Sequence, residues 1–296
     1  MTSRIRTTSL GDTTISIIVD LVDGFAPDVL LPAWDPEALA PHRGWLDGRF
    51  IAPDGRLRMS FHSYLIRTPR QTILVDSCIG NDKHRPSREN WHRRRGPFLD
   101  NLRAAGVAPE AVDVVLCTHL HTDHVGWNTR LADGRWVPTF PNARYLFGEK
   151  ELAFWQAVAA DNPGQPVNQG SYQDSVLPVL EAGQGELVAS DHRVDDTLWL
   201  EPAEGHTPGS VTITLDGGPA GRVLFSGDVV HHAAQCIFPH WNSAFCELPD
   251  RSARTRRRVL EQLADSGTLM LTGHFPAPTF GRVAAVGDGF RFDFAD

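Results

Sequence analysis

Thr118 to His124 reads Thr-His-Leu-His-Thr-Asp-His, which places His119, His121, Asp123 and His124 within six residues. Imidazole and carboxylate together are typical ligands of borderline divalent ions, zinc above all. His119 and His121 can point the same way from an extended backbone, because side chains alternate with a period of two. Asp123 and His124 are adjacent and cannot do so, and therefore face a second point in space. That division suits two metal ions, and the missing ligands must come from elsewhere in the chain.

The elements that position these residues follow a rule. Val112 to Cys117 (Val-Asp-Val-Val-Leu-Cys) is apolar and β-branched enough to be a buried strand feeding the loop. Three other apolar strands run into a glycine beside a ligand-type residue. Leu198–Glu201 leads to Gly205-His206-Thr-Pro-Gly, Val223–Ser226 to Gly227-Asp228, and Leu269–Thr272 to Gly273-His274. Glycine at such a place lets the backbone turn sharply and lets a metal approach closely. The candidate metal set is therefore His119, His121, Asp123, His124, His206, Asp228 and His274. Five imidazoles and two carboxylates fit a pair of divalent ions, with Zn2+ first and Fe, Mn or Co also compatible. One carboxylate can bridge the pair.

These four separated motifs resemble, in order, those of the metallo-β-lactamase-fold hydrolase superfamily. The resemblance covers the chain from about Thr13 onward. It implies an α/β fold, an αββα sandwich of two mixed β-sheets packed together with helices outside. It also implies that His119, His121 and His206 hold one metal, that Asp123, His124 and His274 hold the other, and that Asp228 bridges. Asp123, Asp228 and His231 are then the candidate catalytic residues.

Within that superfamily the chain departs from several branches. Only a short tail follows His274, leaving no room for a glyoxalase II helical domain. His121 stands where flavodiiron proteins usually carry Glu. No module for handling RNA or DNA is visible, and true β-lactamases of the fold usually lack an Asp at position 228. What remains resembles lactonases and related ester or organophosphate hydrolases. The implied reaction is the opening of a lactone or other small neutral ester by a metal-bridging hydroxide. An organophosphate or aryl-ester hydrolase is the alternative, and an iron-dependent redox enzyme or a β-lactamase ranks below both. Acyl-homoserine lactonases commonly place a Tyr three residues after the bridging Asp, whereas this chain has His231.

Composition bounds the rest. Of 296 residues, 41% are hydrophobic and 22% charged, as in an ordinary globular protein. A net charge of −8 argues against nucleic acid or an acidic membrane as partner, leaving a small-molecule substrate. Cys78, Cys117, Cys236 and Cys246 form no Cys-x-x-Cys motif and no disulfide framework. With no signal-like or membrane-spanning apolar run, the expectation is a cytoplasmic protein. We expect one domain over residues 1–296, with an irregular aromatic arm at about 23–60 that either caps the pocket or makes a homodimer contact. Helices are expected over about 97–105, 149–160, 171–180 and 250–265, the last capped by Asp250. Asp76, at a strand end, is a candidate acceptor behind a ligand histidine. Trp127, Trp136, Phe238 and Trp241 are candidate pocket-wall residues.

Overall fold

The computed structural model describes residues 5–295. Its strands are Thr7–Leu10 (β1), Thr13–Phe25 (β2), Leu57–Arg67 (β3), Thr72–Val75 (β4), Val114–Leu116 (β5), Thr129–Ala132 (β6), Arg135–Pro138 (β7), Arg144–Gly148 (β8) and Gly185–Val188 (β9). They continue with Leu198–Pro202 (β10), Val211–Asp216 (β11), Arg222–Phe225 (β12), Leu269–Leu271 (β13), Phe280–Val286 (β14) and Gly289–Phe294 (β15). The chain forms two compact units. One comprises the chain up to Leu21 with Phe61–Ser190, the other Val22–Ser60 with the chain from Asp191 onward.

In the first unit the sheet order is β1-β2-β3-β4-β5-β8-β9. β4, β5, β8 and β9 run parallel, with Ile73 opposite Val114 and Val115 opposite Tyr145. Interior parallel strands are covered on both faces, which is why β5 is apolar at every position instead of alternating. Val114, Val115 and Leu116 are all 1% exposed or less. Each such side chain contributes about 1.5–3 kcal/mol by leaving water. The shared direction matters more than the packing. The carboxyl ends of β4, β5 and β8 share one edge and open into Asp76, the 118–124 loop and the helix Glu149–Asp161. Leu152 and Trp155 of that helix join the core, as its apolar spacing predicts.

In the second unit the order is β10-β11-β12-β13-β14-β15. β10 and β12 are both antiparallel to β11, and β12 is parallel to β13. Hence β10, β12 and β13 all point the same way, and the segments carrying His206, Asp228 and His274 leave from one edge. Glycine is required at two of these exits. A Cβ on Gly205, at φ +141°, would come within 2.3 Å of the Ser252 nitrogen, and one on Gly273 within 2.9 Å of Asp228 Oδ1.

Several expectations change. The arm is less irregular than its composition suggests, because β2 extends to Phe25 and β3 starts at Leu57. Between them lie short helices Pro27–Leu30, Pro36–Leu39 and Arg43–Leu46, the second capped by the Asp35 carboxylate. The helix Pro249–Leu263 begins one residue before Asp250, so Asp250 lies in its first turn and Leu248 is the cap residue. Around 171–180 the chain forms a π-helix, Tyr172–Val176, before the α-helix Leu177–Glu181. Among the described residues, no helix is long and apolar enough to cross a membrane.

Candidate metal centre

The first unit supplies the 118–124 loop, whose backbone is held at Thr118, Leu120, His121 and His124. Asp76 follows β4 with φ +57°, a conformation Asp tolerates better than most residues. Its carboxylate accepts from the Thr118 nitrogen at 2.7 Å, the Thr118 hydroxyl at 2.8 Å and His124 Nδ1 at 2.8 Å. These three bonds fix two tautomers. His124 must carry its proton on Nδ1, because a carboxylate only accepts. Thr118 has spent its one hydroxyl proton on Asp76, so it accepts from His119 Nδ1, 3.1 Å away. Both rings therefore present Nε2 as the lone-pair nitrogen, the arrangement a metal ligand needs. The His119 and His121 rings lie 4.8 Å apart, with ligand atoms within 4.8 Å of each other. Asp123 Oδ2 is 3.9 Å from His124 Nε2.

The second unit supplies the other half, arranged around one carboxylate. Asp228 Oδ2 lies 3.2 Å from His206 Nε2 and 3.1 Å from His231 Nε2, and Oδ1 lies 3.0 Å from His274 Nε2. The four side chains are 6% exposed or less. Outward partners again set the tautomers. His274 Nδ1 donates to the Ser60 carbonyl at 3.2 Å. The Cys246 thiol donates to Ser252 at 3.3 Å and accepts from His206 Nδ1 at 3.6 Å. Neutral His206 and His274 would then aim lone pairs at carboxylate oxygens, which requires a cation beside them. Burial opposes an imidazolium at His206, but attraction and hydrogen bonding to Asp228 outweigh it and push the pKa up to about 9. A divalent ion meets the same need with no proton, so this donor set fits a metal.

His231 is different. Burial drives its pKa down to about 4, only partly opposed by Asp228. Neither ring nitrogen makes an aligned hydrogen bond among the described residues. It is a neutral, buried imidazole against Asp228. The backbone from Val229 to Trp241 that carries it is held by Arg256, fully buried, which donates to the carbonyls of Val229, Pro239 and Trp241.

The aromatic candidates divide. Trp127 is 3% exposed, stacks on Phe98 at 5.4 Å and donates to Asp20, so it belongs to the core and not to a pocket wall. Trp136 lies over the Lys83 ammonium at 3.6 Å. Phe238 and Trp241 stack at 4.6 Å, and Trp34 of the arm meets Trp241 at 6.1 Å.

Sequence reasoning missed Glu151, which accepts from the Leu120 nitrogen at 2.9 Å and from Trp155 Nε1 at 2.8 Å. The signal was a first-turn Glu on the helix after β8. It also missed Cys246 and Arg85, whose partners His206, Thr122 and Asp174 lie far off in the chain and leave no local pattern.

The Metallo-beta-lactamase superfamily model matches residues 62–274. The chain belongs to that superfamily. Membership carries the coarse class of metal-dependent hydrolase and the metallo-β-lactamase fold, with its mixed sheets and helices. Among relatives, the uncharacterized protein YobT of Bacillus subtilis (strain 168) is 23% identical over 192 residues, 60% of this chain and 71% of that protein. Metallo-beta-lactamase domain-containing protein 1 of Xenopus laevis is 28% identical over 206 residues, 69% of this chain and 66% of that protein. Two solved structures share the fold over almost the whole length. Hydrolase AbOPH of the beta lactamase superfamily has a TM-score of 0.79 at 24% identity, covering 99% of this chain and 98% of that one. AidC, a dizinc quorum-quenching lactonase solved with N-hexanoyl-L-homoserine as product, has a TM-score of 0.77 at 22% identity over the same shares.

Proposed function

We propose that the two units are halves of one metallo-β-lactamase domain, and that the protein hydrolyses a lactone or other small neutral ester using two divalent metal ions, Zn2+ first among them. His119, His121 and His206 would hold one ion and Asp123, His124 and His274 the other, with Asp228 bridging. The observation that carries this reading is the meeting of buried imidazole Nε2 atoms on the Asp228 carboxylate at 3.0–3.2 Å. Superfamily membership supports it, and the family model runs through every proposed ligand.

Bound ions would supply Lewis acidity, lowering the pKa of a water toward neutrality and polarising the scissile carbonyl. The chain's own contribution is preorganisation. Asp76, Thr118, Cys246 and the Ser60 carbonyl hold four imidazoles with Nε2 inward, so no ring has to reorient when metal or substrate arrives. His231, neutral at working pH, can donate one hydrogen bond to a substrate oxygen, the role a Tyr commonly fills in acyl-homoserine lactonases. The acidic balance of the chain favours a neutral small molecule over nucleic acid.

His119→Ala and Asp228→Ala should each lose metal and activity together, at least a hundredfold in kcat/KM. Metal content is read by elemental analysis, and turnover on a lactone, an aryl ester, a phosphotriester and a β-lactam. A metal-free variant with full lactone turnover would contradict the reading. Phosphotriester turnover without lactone turnover would move the substrate class and leave the metal site in place.

A further inference from the structure

The 118–124 loop is anchored by its alternate residues. Thr118 is bound to Asp76, and Leu120 donates to Glu151 and accepts from the Asn168 amide at 2.5 Å. Thr122, 3% exposed, stands between His121 and Asp123, and its hydroxyl accepts from Arg85 Nε at 2.7 Å. Thus 118, 120 and 122 are each tied to the surrounding scaffold, and His119 and His121 alternate with them, their rings 4.8 Å apart.

Arg85 is built for this contact. It is fully buried, and its guanidinium forms a bidentate pair with Asp174 at 2.7 and 2.9 Å. The Nη1 that binds Asp174 Oδ2 also lies 3.1 Å from the carbonyls of His84 and Gln169. Asp174 is also held by the Ser175 hydroxyl at 2.6 Å and faces Lys83 at 3.4 Å. Two buried basic side chains therefore share one carboxylate. Asp174 lies in the π-helix Tyr172–Val176, and Asn168 and Gln169 just before it have φ of 49° and 56°. π-Helical turns and left-handed non-glycine residues are uncommon, and they persist where surrounding contacts fix the backbone. Here the contacts are Asn168 to the Leu120 carbonyl and Gln169 to Arg85.

We propose that Arg85, braced by Asp174, is a positioning residue that sets the metal affinity of the 119–124 loop through Thr122. The pair acts on the spacing between His121 and Asp123, residues assigned above to different ions. A planar fork locked on Asp174 leaves Nε only one direction, so the Thr122 hydroxyl has one place to sit. This inference rests on the proposed metal role of the loop.

The test uses Co2+ binding to the full chain, read by the visible ligand-field spectrum and by competition with a chelator. Thr122→Val removes the acceptor and keeps the shape. Expected are a tenfold to hundredfold loss of Co2+ affinity, a changed band pattern and an apo-protein Tm close to wild type. Thr122→Ser, which keeps the hydroxyl, should restore affinity to within about threefold of wild type. Arg85→Lys, which keeps the charge but not the fork, should resemble Thr122→Val and covers the case in which the valine variant does not fold. Wild-type affinity and spectrum in Thr122→Val or Arg85→Lys would overturn the proposal, as would a serine variant no better than valine. If wild-type protein binds no Co2+, or binds it unchanged when His119 and His121 are both replaced by Ala, the metal reading itself fails and takes this one with it.

Discussion

At the scale of single residues, the partners of each buried imidazole decide which ring nitrogen carries the proton and which is left with a lone pair. The ligand-type residues were legible in the sequence, because His, Asp and Gly recur where apolar strands end. What sets their tautomers was not. Thr118, Cys246 and the Ser60 carbonyl act on His119, His206 and His274, and only Thr118 is a chain neighbour of its histidine. Asp76 was legible because it ends a strand, although its three bonds to Thr118 and His124 were not. That carboxylate should matter through His124. Asp76→Asn places an amide where two N–H groups and a hydroxyl now donate, so one amide N–H must face a donor. We expect about a tenfold loss of metal affinity with the ligand set intact, read by chelator competition. Wild-type affinity in this variant would show that the His124 tautomer is set in some other way.

At the scale of elements, the strands that lead to the candidate ligands were read correctly in place and type. β5 and β13 are apolar throughout and β12 is apolar after Arg222, and a glycine or histidine follows each within three residues. The elements that escaped carry no such signal. β14 and β15 form a hairpin after His274, with Gly281 opposite Phe294, from a stretch rich in Gly and Arg. β9 is an edge strand with Leu187 half-exposed, so its pattern resembles a loop. Asp250 has the composition of a helix cap, but Pro249 starts the helix one residue earlier. The segment around Lys83 reads as a polar loop and yet buries Lys83 completely, against Thr129, Asp174, Arg85 and the Trp136 ring. Burial lowers the Lys83 pKa to about 7, although Asp174 pulls it upward. The ordinary value for the unfolded chain is 10.5. Between those values the unfolded state binds more protons than the folded one, so stability contributed by this group rises with pH over that window and is lost below it. Wild type should therefore gain on Lys83→Met by up to about 1.4 kcal/mol per pH unit between pH 7 and 10. Urea midpoints across that range give the slope, and a parallel pair of curves would rule out a titrating Lys83.

At the scale of the whole molecule, membership of the superfamily explains why one sequence pattern spans both units. The family match enters at residue 62, just beyond the arm, and ends at His274. Fold class was legible for that reason: the motifs are the strand ends of the fold. Substrate was not, because the candidate pocket residues Phe238, Trp241 and His231 are of types that suit many small molecules. The proposed hydrolysis requires two metal ions acting together, and metal titration of chelator-stripped protein tests that requirement most directly. Lactone or ester turnover should be absent without metal, and should rise to a plateau at two equivalents of Zn2+ per chain. Full turnover in stripped protein, or a plateau at one equivalent, would contradict it.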